Sequence, residues 1–71
     1  MRILGIDPGT RVCGYAVIDA EGSHLDVVDF GVVRADGKDL PVRLGVIHAG
    51  LVEVIDRFEP EVASVEAAFY G

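Results

Sequence analysis

Arg2-Ile3-Leu4-Gly5-Ile6-Asp7-Pro8-Gly9-Thr10 opens the chain with an apolar run that stops at a carboxylate and a turn. An unbroken apolar run suits a central strand covered on both faces. Pro8 presets φ for one middle position of a tight turn, and Gly9 tolerates positive φ at the other. The stretch therefore predicts a strand over 2–7 whose last residue is Asp7. The chain re-enters an extended segment at about 14–20 (Gly-Tyr-Ala-Val-Ile-Asp-Ala). Glu21-Gly22-Ser23-His24 reads as a hairpin connection, and a third extended segment follows at about 25–34. Three strands with short links predict an antiparallel meander.

Beyond Arg34 the hydrophobic period changes. Leu40, Leu44, Ile47, Leu51, Val54, Ile55 and Phe58 recur at steps of three and four, the spacing of one helix face. Asp39 suits the N-cap and Pro41 the first turn. Pro60 ends the helix, because the residue before a proline is pushed out of the helical region. Gly45 and Gly50, each costing roughly 1 kcal/mol relative to alanine, suggest close packing against the sheet. Residues 62–66 (Val-Ala-Ser-Val-Glu) make a fourth strand. A strand–helix–strand connection is a right-handed parallel crossover. The economical sheet sets strand 4 beside strand 1, on the side away from strand 2.

Seventy-one residues allow at most one small domain, and a chain of this size buries roughly 60% of its unfolded surface. Hydrophobic residues at 51% and charged residues at 25% describe a globular core rather than disorder. No apolar run approaches the roughly 20 residues of a membrane span, and no signal-peptide pattern opens the chain, so a soluble cytoplasmic domain with no membrane partner is expected. Cys13 is the single cysteine, which excludes an internal disulfide and a cysteine-based zinc site and suggests a small buried side chain. Twelve acidic against six basic residues give a net charge of −6, the wrong sign for phosphate binding by these residues alone.

The layout has a chemical consequence. Asp7 ends strand 1 and Glu66 ends strand 4. If the strands are parallel neighbours about 4.8 Å apart, both carboxylates lie at one end of the sheet and could share a cation. Carboxyl ends of strands are where open α/β sheets bind ligands. Two close carboxylates repel unless a proton or metal lies between them, and hard oxygen donors favour magnesium or manganese. Spacing alone leaves two readings open: a metal pair, or a turn aspartate and an exposed strand-end glutamate. By alternation Ile3, Gly5 and Asp7 share a face, as do Val62, Ser64 and Glu66, so neither acid need point under the helix.

Gly5-Ile6-Asp7-Pro8-Gly9-Thr10 with Gly14-Tyr15 resembles the opening of the RuvC family of Holliday-junction resolvases. Leu40-Pro41-Val42-Arg43-Leu44 through Phe58-Glu59-Pro60 is similar to that family's first helix, and Val65-Glu66-Ala67-Ala68-Phe69 to the strand with its second catalytic acid. The Asp-x-Gly-Thr element is shared across the ribonuclease-H-like superfamily; the helix motif and Glu-x-x-Phe at this separation are more specific. The resemblance implies a truncated RNase-H-like α/β fold, with residues 1–71 the N-terminal part of one nuclease domain. It also implies a homodimer that binds four-way junction DNA, works with the RuvA-RuvB branch-migration complex, and nicks opposing strands by metal-assisted hydrolysis. On that reading Asp7 and Glu66 are catalytic ligands of Mg2+ or Mn2+, two ions per complete site. Such ions, about 3.5–4 Å apart, activate water and stabilise the leaving oxygen. Phe69 matches an aromatic near the junction centre, where stacking on a base contributes roughly 1–3 kcal/mol. Tyr70 stands where Phe is common, and Arg11 beside the turn could reach a phosphate. From the residues alone, strand-end packing is the better reading of Phe69, and a surface cation describes Arg11 at least as well. His24 reads as solvated and His48 as a packing or partly exposed histidine.

The family's site takes two further acids from a C-terminal helix that these 71 residues do not reach, so the resemblance implies that they do not cleave alone. It also leaves strand 4 as an open edge. Three alternatives stand beside this reading. A YqgF-type nuclease of ribosomal RNA processing shares the opening motif but not the helix motif or Glu66-x-x-Phe69. The phosphate-binding half of an actin-like ATPase would need a glycine-rich hairpin where Arg11-Val12-Cys13 stands. The third is a non-catalytic remnant.

Overall fold

A computed structural model describes residues 1–37 and 39–65. The elements are β1 (Arg2–Asp7), β2 (Val12–Glu21), β3 (His24–Arg34), α1 (Leu40–Phe58) and β4 (Val62–Val65). They form one mixed sheet in the order β3-β2-β1-β4. β1 runs antiparallel to β2 and parallel to β4, as the connections required. The meander is longer than its apolar residues suggested: the β2–β3 ladder runs from Val12↔Arg34 to Glu21↔His24. Gly22 and Ser23 alone make the turn, with Gly22 at φ 61°, the glycine-first pattern of a II′ hairpin. A bulge between Val17 and Ile18 pairs them with Asp29 and Val27, leaving Val28 as the extra residue.

The helix covers one face of the sheet. Leu4 and Val17, both fully buried, pack with Val54, while Cys13 and Ala35 pack with Ile47. Ile6, Tyr15, Leu51 and Phe58 complete these clusters. Gly50 is the point of closest approach: a Cβ there would lie 2.6 Å from Val33 Cγ1. Gly45 meets nothing within 4 Å, so the close packing expected of both helix glycines holds only at Gly50. Leu40, Leu44 and Ile55, expected on the buried face, are exposed flanks of a narrower seam centred on Ile47 and Val54. Asp39 takes the N-cap position without a side-chain cap hydrogen bond. Its backbone carbonyl accepts from Arg43 N instead. The helix ends at Phe58, and Glu59 before Pro60 turns left-handed (φ 49°) while donating to Ile55 O.

The opposite face is uncovered among the described residues, contrary to the two-sided burial expected of β1. By alternation it carries Ile3, Gly5 and Asp7 of β1, Gly14, Ala16 and Ile18 of β2, and Phe30 and Val32 of β3. Phe30 is 76% exposed there. β4 ends the sheet, its four residues all exposed. At the end away from Asp7, Arg2 donates to both oxygens of Asp19 (2.8 and 3.0 Å) and to Phe58 O (3.0 Å), tying β1, β2 and the end of α1 together.

Candidate functional site

Asp7 is exposed at the carboxyl end of β1 and pairs with Gly14. Because Leu4 and Ile6 face the helix, alternation puts Asp7 on the uncovered face with Gly5. The partner glycine leaves its flank bare: a Cβ on Gly14 would stand 3.7 Å from Asp7 Cβ. A depression of about 330 Å³ opens here, lined by Gly5, Asp7, Gly14, Ala16, Gly31 and Ser64 among others. Small residues make most of its lining, Ile6 and Tyr15 being the large ones, and the Asp7 carboxylate is exposed beside them.

The turn after Asp7 is tightly built. Gly9 does not use the positive φ expected of it; its requirement is space, because a Cβ there would overlap Val12 O. Arg11 O accepts from Ala35 N at 2.8 Å. Arg43 of α1 donates from Nε to Thr10 O and from Nη1 to Gly37 O, each 3.1 Å. In sequence Arg43 was a letter of the helix motif with no role of its own. Its 33-residue separation from Thr10 leaves no periodic signal that could have found the contact.

The β1–β4 register runs Ile3↔Val62 to Ile6↔Val65 and puts the carboxyl ends of both strands at the same end of the sheet. Glu66, Phe69 and Tyr70 lie outside the described residues. The Arg11 side chain is exposed beside the turn and makes no hydrogen bond or ion pair among the described residues. Among those residues no three His, Cys, Asp or Glu side chains converge to hold a metal. His24, 3.2 Å from Asp26, and His48 are both exposed and lie outside the depression. Cys13 is buried and free, as expected. No helix among the described residues is long and apolar enough to cross a membrane.

Residues 3–71 match the family model described as Crossover junction endodeoxyribonuclease RuvC. The chain belongs to the RuvC family. The RuvC of Polaromonas naphthalenivorans is 50% identical over 72 residues, which cover 97% of this chain and 40% of that protein. The RuvC of Vibrio vulnificus strain YJ016 is 51% identical over 67 residues, 94% of this chain and 39% of that one. The chain thus spans about 40% of the length of the curated RuvC relatives it matches. Among solved structures, T. thermophilus RuvC in complex with Holliday junction substrate superposes at a TM-score of 0.86 with 34% identity. That alignment covers 100% of this chain and 46% of the Thermus RuvC. The fold is therefore RNase-H-like, as the resemblance implied. An Aquifex aeolicus PPX-GPPA enzyme shares the fold alone, at a TM-score of 0.66 and 17% identity.

Proposed function

We propose that the complete protein is a structure-specific DNA endonuclease that resolves four-way (Holliday) junctions by metal-dependent phosphodiester hydrolysis, and that residues 1–71 are the N-terminal part of its single nuclease domain. The observation that carries this reading is the parallel β1–β4 register. After Ile6↔Val65, each strand leads in sequence directly to a carboxylate, Asp7 on one and Glu66 on the other. The RuvC relatives named above support the same reaction.

The donor chemistry fits a hard divalent cation. Asp7 is an exposed oxygen donor beside a glycine and a lining of mostly small residues, with room for a hydrated ion and a phosphate. Asp7 and Glu66 would hold Mg2+ or Mn2+, with the remaining acids supplied from beyond Gly71. A bound ion supplies Lewis-acid polarisation of the phosphate and a more acidic attacking water. The chain's own part is placement. β1 fixes the Asp7 backbone in the middle of the sheet, and the exposed carboxylate approaches the scissile phosphate from the uncovered side. Arg11 would neutralise a neighbouring phosphate, and Phe69 and Tyr70 would stack on bases at the junction centre. Pairing two such sites in a cytoplasmic homodimer, in company with RuvA-RuvB, would deliver the two symmetric nicks.

Asp7→Asn in the complete protein tests the reading. Junction cleavage is expected to vanish while junction affinity is kept. Cleavage at the wild-type rate would remove Asp7 from the catalytic role.

A further inference from the structure

The Asp7 turn is gripped from outside the sheet. Two of the three nitrogens of the Arg43 guanidinium donate to carbonyls of two separate loops, Thr10 O in the β1–β2 turn and Gly37 O in the β3–α1 connection. Arg43 itself is half-buried on the first turns of α1, which is seated on the sheet through Ile47, Gly50 and Val54. The turn it holds has little internal freedom: Pro8 has a fixed φ, Gly9 sits against Val12 O, and Arg11 O is bonded to Ala35 N. A segment so restricted moves as a unit, so a shift at Thr10 is passed to the Asp7 end of β1. A planar guanidinium can serve two loops at once; a lysine ammonium keeps the charge without the fork.

We propose that Arg43 is a positioning residue for the site: by fixing the Thr10 turn against α1 it sets where the Asp7 carboxylate stands, and so how tightly the divalent cation is held. The inference rests on the metal-dependent nuclease reading given above. It assigns Arg43 no contact with substrate.

The test compares Arg43→Lys and Arg43→Gln with wild type in the complete protein. Three quantities are measured: Mn2+ binding by calorimetry, the metal dependence of junction cleavage, and junction affinity in Ca2+. Partners that orient metal ligands are commonly worth roughly 10–100-fold in metal affinity or activity. Both variants are expected to weaken Mn2+ binding and to lower kcat within that range, with KM and junction affinity unchanged. Added metal should recover part of the rate, and amide exchange at Ala35, whose N–H donates to Arg11 O, should quicken. Wild-type metal binding in Arg43→Lys would reduce the role to charge and overturn the proposal. Loss of junction affinity alone, with the salt slope smaller by about one, would make Arg43 a phosphate contact instead. Loss of folded protein with unchanged metal affinity in the folded fraction would make it merely structural. Asp7→Asn in the same assays separates the two levels. If that variant still cleaves, the nuclease reading fails; if it is inactive while the Arg43 variants behave as wild type, only the positioning role fails.

Discussion

Replacing Gly50 by alanine sets two effects of similar size against each other, and the structure decides between them. In an exposed helix position, Gly to Ala gains roughly 1 kcal/mol from helix propensity. At Gly50 the new methyl would lie 2.6 and 2.9 Å from the two γ-carbons of Val33 and 3.3 Å from its Cβ. Both branches of a β-branched side chain are in the way, so no χ1 rotation clears the space and the helix must lift from β3. Overpacking of this kind costs about 1–3 kcal/mol, which leaves Gly50→Ala destabilising by about 1 kcal/mol after the propensity gain. Gly45, on the same helix with open space around it, is the matched control, and Gly45→Ala should stabilise by up to about 1 kcal/mol. In a domain of the length of the relatives, of which the chain spans about 40%, 1 kcal/mol moves Tm by roughly 2–4 °C. Thermal unfolding followed by circular dichroism should therefore show the two alanine variants shifted in opposite directions. An equal rise in Tm for both would refute the argument that α1 is seated on Val33 through Gly50.

Further predictions concern the core, the uncovered face and the Arg2 pair. Leu4→Ala, at a fully buried site, should cost about 2–5 kcal/mol, read as a lowered urea midpoint of the complete protein. Phe30→Ser, at a residue 76% exposed, should change the stability of the 71-residue chain by less than about 0.5 kcal/mol while reducing its binding of a hydrophobic dye; urea titrations and dye fluorescence read both. The Asp19 carboxyl is held below its usual value near 3.8, first by the hydrogen bonds from Arg2, against opposing desolvation. Its protonated form is thus favoured in the unfolded chain, and the stability it contributes is present above that value and lost as pH falls through the lowered one. Asp19→Asn should therefore be less stable than wild type at neutral pH, with the gap closing on acidification, measured as urea midpoints across pH 2–7.

Much of this arrangement could be read from particular residues. The apolar run 2–7 became β1 at those bounds, and its exit into Pro8-Gly9 correctly placed a carboxylate at a strand end. Helix periodicity between Asp39 and Pro60 gave α1 its limits, and the strand–helix–strand connection gave β4 its place beside β1. Three features were out of reach for physical reasons. Strand ends at Val12 and His24 are set by ladder hydrogen bonds, which polar residues make as readily as apolar ones. The helix period marks a stripe wider than the seam that packs, so Leu40, Leu44 and Ile55 could not be told from Ile47 and Val54. Gly9 and Arg43 act through close approach and long-range bonding, properties of a folded chain with no local pattern. Of the candidate site, the strand-end position of Asp7 and the direction of the neighbouring strand were legible. The clamp on its turn was not.

The parallel pairing of β1 with β4 also has a consequence in time. β1 ends at Asp7 and β4 begins at Val62, 55 residues later. At synthesis rates of about 5–20 residues per second, the ribosome needs roughly 3–11 s to make that intervening stretch. β2 and β3 are made during that interval and join β1 through short local connections. The neighbour that brings a second strand end beside Asp7 arrives last, after a loop closure that makes it one of the slower contacts to form. The order of synthesis thus completes the strands of the meander before it supplies the parallel partner of β1.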